Sequence, residues 1–287
     1  MTDTTESVVA ELNVALGTDY RIVRRLTGGL QSGAFELTEG VVLKWTANPD
    51  WAPRVQRAAE LVRRARAVGY PTPEWLAVGT TAAGSPYQLQ EFVPGTPIRG
   101  GALVDEQLAR HLIGICELQR DLVPEDIINW SGYVHGVVFE GWDGARERVL
   151  AYGGEAADLV QRYDALCRPY RDVVLPSDDL VHGDLNIGNL LVADGQVTGI
   201  IDFEAAGSGS RAYDLVSLAT SAARDGAPHG IDELFLEAAL RAGGRATVAV
   251  CAATAYITIA EFSAKLQEGM EELVAVGGRR VLELLGA

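Results

Sequence analysis

The stretch LVHGDLNIGNLLV at residues 180–192 constrains this chain more than any other feature. Two short apolar runs, each long enough for a brief buried strand, are interrupted by one histidine, one aspartate, two asparagines and two glycines. Continuing a strand or helix through these residues would bury polar groups without partners, so a tight polar loop is expected between two strands. Asp194 and Gly195 then supply a hairpin turn, and QVTGIIDF gives a third strand. The loop and hairpin together can bring Asp184, Asn189 and Asp202 to one edge of a small sheet. Oxygen donors from one Asp and one Asn, with no nearby Cys or paired His, suit a hard cation such as Mg²⁺ shared with substrate phosphates. Asp184, five residues before Asn189, is then free to orient a hydroxyl. Asp and Asn also close turns and cap helices, so each alone has an ordinary structural reading; three at these spacings are harder to account for that way.

The flanking sequence frames the loop. TESVVAELNVALG reads as a short helix capped near Thr5 and ended by Gly17. YRIVRRL, GAFELT and VVLKW follow as three strands around glycine-rich turns. PRVQRAAELVRRARAVG is a helix with proline in its first turn, and EWLAVGTT and PYQLQEFV resume the strand pattern. The PGTP segment breaks that pattern and divides the chain into residues 1–93 and 94–287. Beyond it, helical periodicity predicts helices over 104–118, 142–150, 156–167, 213–223, 231–242, 246–267 and 271–285.

Charge divides along the same line. Residues 1–93 carry nine basic and ten acidic side chains, whereas 94–287 carry fifteen and twenty-nine, so most of the net −15 lies in the second part. Such a field disfavours nucleic acid and anionic membrane surfaces as partners and attracts cations, although acidity also serves solubility. The apolar uncharged run 246–260 has fifteen residues, short of the roughly 18–20 that span a bilayer, and reads as a buried helix. The acidic N-terminus lacks the pattern of a secretory signal, which predicts a cytoplasmic protein. Cys116, Cys167 and Cys251 are odd in number and widely spaced, as expected of buried thiols.

HGDLNIGN followed by IIDFE resembles the catalytic loop and metal-binding segment of the aminoglycoside phosphotransferase and choline kinase family, relatives of the protein kinases. The resemblance covers nearly the whole chain. It implies a bilobal α+β kinase-like fold: an N-terminal nucleotide-binding lobe (1–93) with an antiparallel sheet and one helix, and a mainly helical catalytic and acceptor-binding lobe (94–287). By the same resemblance Asp184 is the catalytic base, Asn189 and Asp202 hold Mg²⁺, and His182 braces the loop. Lys44, one of only two lysines, would approach the nucleotide phosphates, fixed by an ion pair with Glu60. Glu60 equally suits a surface pair with Arg57 or Arg64. LTGGLQSGAF would form the phosphate-covering turn through Gly28, Gly29 and Gly33, with Ser32 among its nucleotide-binding residues, although it departs from G-x-G-x-x-G. LQEFVPG resembles the hinge, where backbone groups of Glu91, Phe92 and Val93 would meet the purine of ATP or GTP. Asp214, in SRAYDLVSLA, would support the catalytic loop.

Only eleven residues separate Asp202 from Asp214, too few for the long activation loop of protein kinases, so a small-molecule acceptor is expected. The acidic second part suits a cationic antibiotic, an aminoglycoside or a basic peptide, whose phosphorylation confers resistance. A metabolic kinase for a choline-like, sugar or nucleoside substrate, and a nucleotide-binding regulator without catalysis, are the alternatives. Trp130, Tyr133, Glu140, Trp142 and Asp143, with Glu261, Glu268, Glu271 and Glu272, are candidates for the acceptor pocket; as aromatics and acids they serve equally as core and solvated surface.

Overall fold

The computed structural model describes residues 4–26, 33–123, 128–264 and 270–287. Helix α1 (Thr5–Leu16) is capped by Thr4, whose hydroxyl accepts from the Ser7 N–H, and ends at left-handed Gly17. Strands β1 (Ile22–Arg25), β2 (Gly33–Leu37) and β3 (Val41–Trp45) form a meander, helix α2 (Ala52–Ala67) follows, and β4 (Trp75–Thr80) and β5 (Pro86–Glu91) complete an antiparallel sheet. Its strand order is β1-β2-β3-β5-β4. Alternation along β3 decides what each face does. Val41 and Leu43 pack with Leu37, Leu89 and the Val8, Val9 and Leu12 stripe of α1, while Val42 and Lys44 point to the other face.

After Glu91 come β6 (Thr96–Pro97), α3 (Glu106–Glu117), α4 (Trp130–Phe139), α5 (Ala145–Tyr152) and α6 (Gly154–Cys167). Next are β7 (Asp179–Val181), β8 (Leu190–Ala193), β9 (Gln196–Ile200) and β10 (Gly207–Gly209), then α7 (Ala212–Arg224), α8 (Ile231–Ser263) and α9 (Met270–Leu284). Strand β7 pairs antiparallel with β10, and β8 lies between β6 and β9. Asp194 and Gly195 both have positive φ, the conformation a two-residue hairpin requires. The large core joins α3, α4 and α6–α9 to the inward face of α2 through Leu61, Val62 and Ala65. The three cysteines are buried free thiols.

Periodicity does not announce α4. Gly132, Gly136 and three valines give it weak intrinsic propensity, and it is held by the Asn129 cap on the Gly132 N–H and by packing. The helices expected over 231–242 and 246–267 are joined in α8, which ends at Ser263 and is interrupted at Gly244 where the backbone leaves helical geometry; residues 265–267 lie outside the described residues. By length and composition α8 could cross a membrane, but 72% of its most apolar window is buried inside the protein. Helix α9 approaches this core at Gly278, where the Tyr256 ring occupies the space of a β-carbon and Tyr163 donates to the Gly278 carbonyl at 2.8 Å. Gly278→Ala is expected to destabilise the protein by about 1–3 kcal/mol, read as a lower urea midpoint at unchanged slope. An unchanged midpoint would show that α9 does not dock this way.

Candidate active site

The polar loop runs from β7 to β8 over one buried carboxylate. Asp214, in the first turn of α7 and fully buried, accepts from the His182 N–H (2.7 Å), the Gly183 N–H (3.0 Å) and the Gln119 side-chain amide (2.6 Å). Burial pushes its carboxyl above the usual range, while His182 and these donors pull it back. Gly183 has φ +84°, and a β-carbon there would strike Trp130 and the Ala205 carbonyl, so only glycine fits. The buried His182 ring meets the Ile201 carbonyl at 3.0 Å through Nε2 and accepts from the Asp184 N–H at 3.3 Å through Nδ1. Its edge packs on Phe203, which in turn meets Tyr70. These contacts brace the loop at both ends.

Asp184 emerges into the cleft. Asn186 Nδ2 donates to its Oδ1 and Asn189 Nδ2 to its Oδ2, each at 3.1 Å. The surrounding protein pushes the Asp184 carboxyl up, opposed by His182; Asp202 raises it further, and the two amides pull it down. Asn189 spends the donor end of its amide on Asp184, so its carbonyl oxygen is the end a cation can take. Asp202, just after β9, adopts a left-handed backbone (φ 69°), unusual for a non-glycine residue. Burial would raise its carboxyl, but Lys44 holds it below the usual carboxylate range.

Lys44 reaches across from β3 to Asp202 (2.9 Å) and to Glu204. Burial alone would lower its ammonium; Glu204 and Asp202 more than reverse this and raise it above its ordinary value. The expected Lys44–Glu60 pair is not formed. Glu60 lies beside the buried stripe of α2 and pairs along its own helix with Arg63 and with Arg64 (3.1 Å). Glu204 takes its place at Lys44; the signal was present in IIDFE, two residues after Asp202, but nothing in the spacing distinguishes it from a surface acid.

Gly28, Gly29 and Ser32 lie outside the described residues. Gly33 opens β2 opposite Trp45, and the space above it is taken by the Phe35 ring. In the expected hinge the Glu91 and Phe92 N–H groups donate to the carbonyls of Glu74 (2.9 Å) and Gly40 (2.8 Å), so both are committed within the protein. Among the acceptor candidates, Trp130 packs on Gly183 and donates to the Ala205 carbonyl at 2.9 Å. Glu261 pairs with Arg148 (2.7 Å), Glu140 lies 3.3 Å from His135, Glu271 and Glu272 are exposed on α9, and Glu268 is outside the described residues.

Among the described residues, no three His, Cys, Asp or Glu side chains gather into a closed metal cage. The oxygens of Asn189, Asp202 and neighbouring Glu204 instead form a partial, hard donor set of the kind that shares Mg²⁺ with phosphates. Removing Asp214 is the direct test of how the loop is held. Asp214→Ala strands two backbone donors and should cost on the order of 3 kcal/mol in denaturant unfolding. Wild-type stability in that variant would mean that the carboxylate does not hold the loop.

The family model described as "Phosphotransferase enzyme family" matches residues 22–253. Among solved structures, a thermostable mutant of the aminoglycoside phosphotransferase APH(4)-Ia in ternary complex with AMP-PNP and hygromycin B superposes with a TM-score of 0.70 at 15% identity, covering 98% of this chain and 99% of that one. The GDP complex of wild-type aminoglycoside 2'-phosphotransferase-IIIa gives 0.66 at 16% identity, covering 98% of each chain. ADP-bound aminoglycoside phosphotransferase APH(2'')-Ib gives 0.62 at 16% identity, again covering 98% of each. No curated protein matches the sequence.

Proposed function

Because the chain belongs to the phosphotransferase enzyme family, we propose that it moves the γ-phosphate of ATP or GTP to a hydroxyl of a small cationic molecule. The observation that carries this reading is the placement of Asp184. Two asparagine amides fix its carboxylate beside Asp202, which pairs with the one lysine of the N-terminal sheet. Asp184 orients the acceptor hydroxyl and takes its proton as the oxygen attacks phosphorus. Lys44 supplies a fixed positive charge for the phosphates, and backbone groups of the segment after β5, Val93 among them, would meet the purine. Asn189 and Asp202 would hold Mg²⁺, with Glu204 adjacent. When bound, the metal neutralises charge on the phosphates. Little covalent chemistry falls to the protein; positioning does the work.

The acidic excess of residues 94–287 supports a polycationic antibiotic as acceptor and a role in resistance. Hygromycin B in one structural neighbour is consistent with that class, though at such identity the likeness carries the fold alone. A metabolic kinase is the second reading, favoured by the Arg148–Glu261 pair, which neutralises one of the carboxylates expected at the acceptor.

Phosphotransfer from ATP and GTP to a panel of hydroxylated antibiotics and metabolites, with mass spectrometry to locate the phosphate, tests the reading. Asp184→Ala should lower turnover by about 10²–10⁴-fold while nucleotide affinity stays close to that of the unmodified protein. Near-normal turnover would remove Asp184 from this role.

A further inference from the structure

Arg66 does not behave as an ordinary last-turn arginine. A basic side chain there usually serves the helix dipole or an acid on the same helix, as Arg64 does with Glu60. Arg66 instead reaches off α2. Its Nη1 donates to the Thr72 carbonyl at 2.6 Å and to Glu91 Oε1 at 2.7 Å. The same Glu91 oxygen accepts from the Glu74 N–H at 2.8 Å, and the Glu91 N–H donates back to the Glu74 carbonyl. One guanidinium thus ties the end of β5, where the hinge begins, to residues 72–74.

Those residues belong to a strap that crosses to the larger core. Left-handed Gly69 (φ +86°) turns the chain off α2. Tyr70, buried in that core, then meets Phe203 edge to face at 5.8 Å, one residue beyond Asp202. The Pro71 carbonyl accepts from the Ile200 N–H at 2.6 Å, two residues before Asp202. The strap is therefore pinned on either side of Asp202. Beyond the hinge, Thr198 of β9 donates to the Pro94 carbonyl at 2.6 Å. Residues 91–94 are clasped at both ends against β9, directly through Thr198 and, at Glu91, through Arg66 and the strap. The Arg66 and Glu91 side chains are 35% and 39% exposed, so their ion pair adds little stability, and what it contributes is geometry.

We propose that Arg66 is a positioning residue for the nucleotide, setting the separation between the hinge, which would meet the purine, and Asp202, which would meet the phosphates and their cation. This rests on the phosphotransfer reading for what occupies the two ends. A nucleotide is a ligand with two linked ends, and linkage raises affinity only when both ends engage at once. A shift of about 1 Å between the hinge and Asp202 would leave each end its own contacts, forfeit the gain from joining them, and move the γ-phosphate out of line with the acceptor hydroxyl.

The test uses the full chain with ATP, adenosine and tripolyphosphate, the two phosphate compounds with Mg²⁺. Calorimetric titration gives ATP affinity, displacement of a fluorescent ATP analogue gives that of the two fragments, and phosphotransfer is followed separately. Arg66→Met keeps an aliphatic stem and removes the donors. It should weaken ATP about tenfold and lower turnover at saturating ATP, while adenosine and tripolyphosphate keep their affinities. Arg66→Lys, which restores a charged donor, should recover most of both losses. Glu91→Gln loosens the same tie from its other end and makes the same comparison where Arg66→Met folds poorly. A merely structural loss would lower the urea midpoint and the folded fraction without separating ATP from its two fragments. Unchanged ATP affinity in both Arg66→Met and Glu91→Gln, a rise in turnover, or an equal loss in either fragment would overturn the positioning role and leave the phosphotransfer reading standing. A loss confined to ATP, without phosphorylation of any acceptor by the unmodified protein, would uphold the positioning role and count against that reading. No binding of ATP to the unmodified protein would overturn both.

Discussion

The site depends on a carboxylate that never reaches the cleft. Asp214 collects two consecutive backbone N–H groups from the polar loop and one amide from Gln119, all in the interior. An unpartnered donor there would be costly, so the loop must take the one path that keeps all three bonds. That path needs a left-handed Gly183 and delivers Asp184 to the open side. His182, held by the same arrangement, reaches the Ile201 carbonyl and so fixes the residue before Asp202. Through these bonds the start of α7 sets the positions of Asp184 and Asp202 together.

A second constraint joins this assembly to the N-terminal sheet. Strand alternation sends Lys44 away from the α1 core, and the register of β3 between β2 and β5 places it over the cleft. There it meets Asp202 and Glu204. A buried ion cluster of this sort is a poor source of net stability, because desolvation offsets most of its Coulombic gain. Its consequence is positional: a positive charge is held where phosphates would arrive, beside the carboxylate that would share their cation.

Much of this was legible because polar residues in an apolar setting have few physical excuses. HGDLNIGN had to be a loop, and IIDFE had to follow a strand; the structure bears out both, together with the kinase-like fold. Local chemistry also fixed the Asp194-Gly195 hairpin and the free cysteines. What could not be read was which acid meets Lys44, since Glu60 and Glu204 differ only in tertiary placement. Helix α4 was hidden for a related reason: its glycines and valines lower local propensity, and packing overrides them. One of those glycines, Gly136, makes room for Trp142, a role visible only when the two elements meet.

The account stands most directly on whether Asp202 couples a divalent cation to the nucleotide. Titration of ATP into the wild-type protein and Asp202→Ala, each with Mg²⁺ and with excess chelator, measures this coupling. Wild-type affinity should rise strongly with Mg²⁺, and the gain should collapse in the variant along with phosphotransfer. Affinity and turnover indifferent to chelator, or a Mg²⁺ gain that survives loss of Asp202, would contradict it.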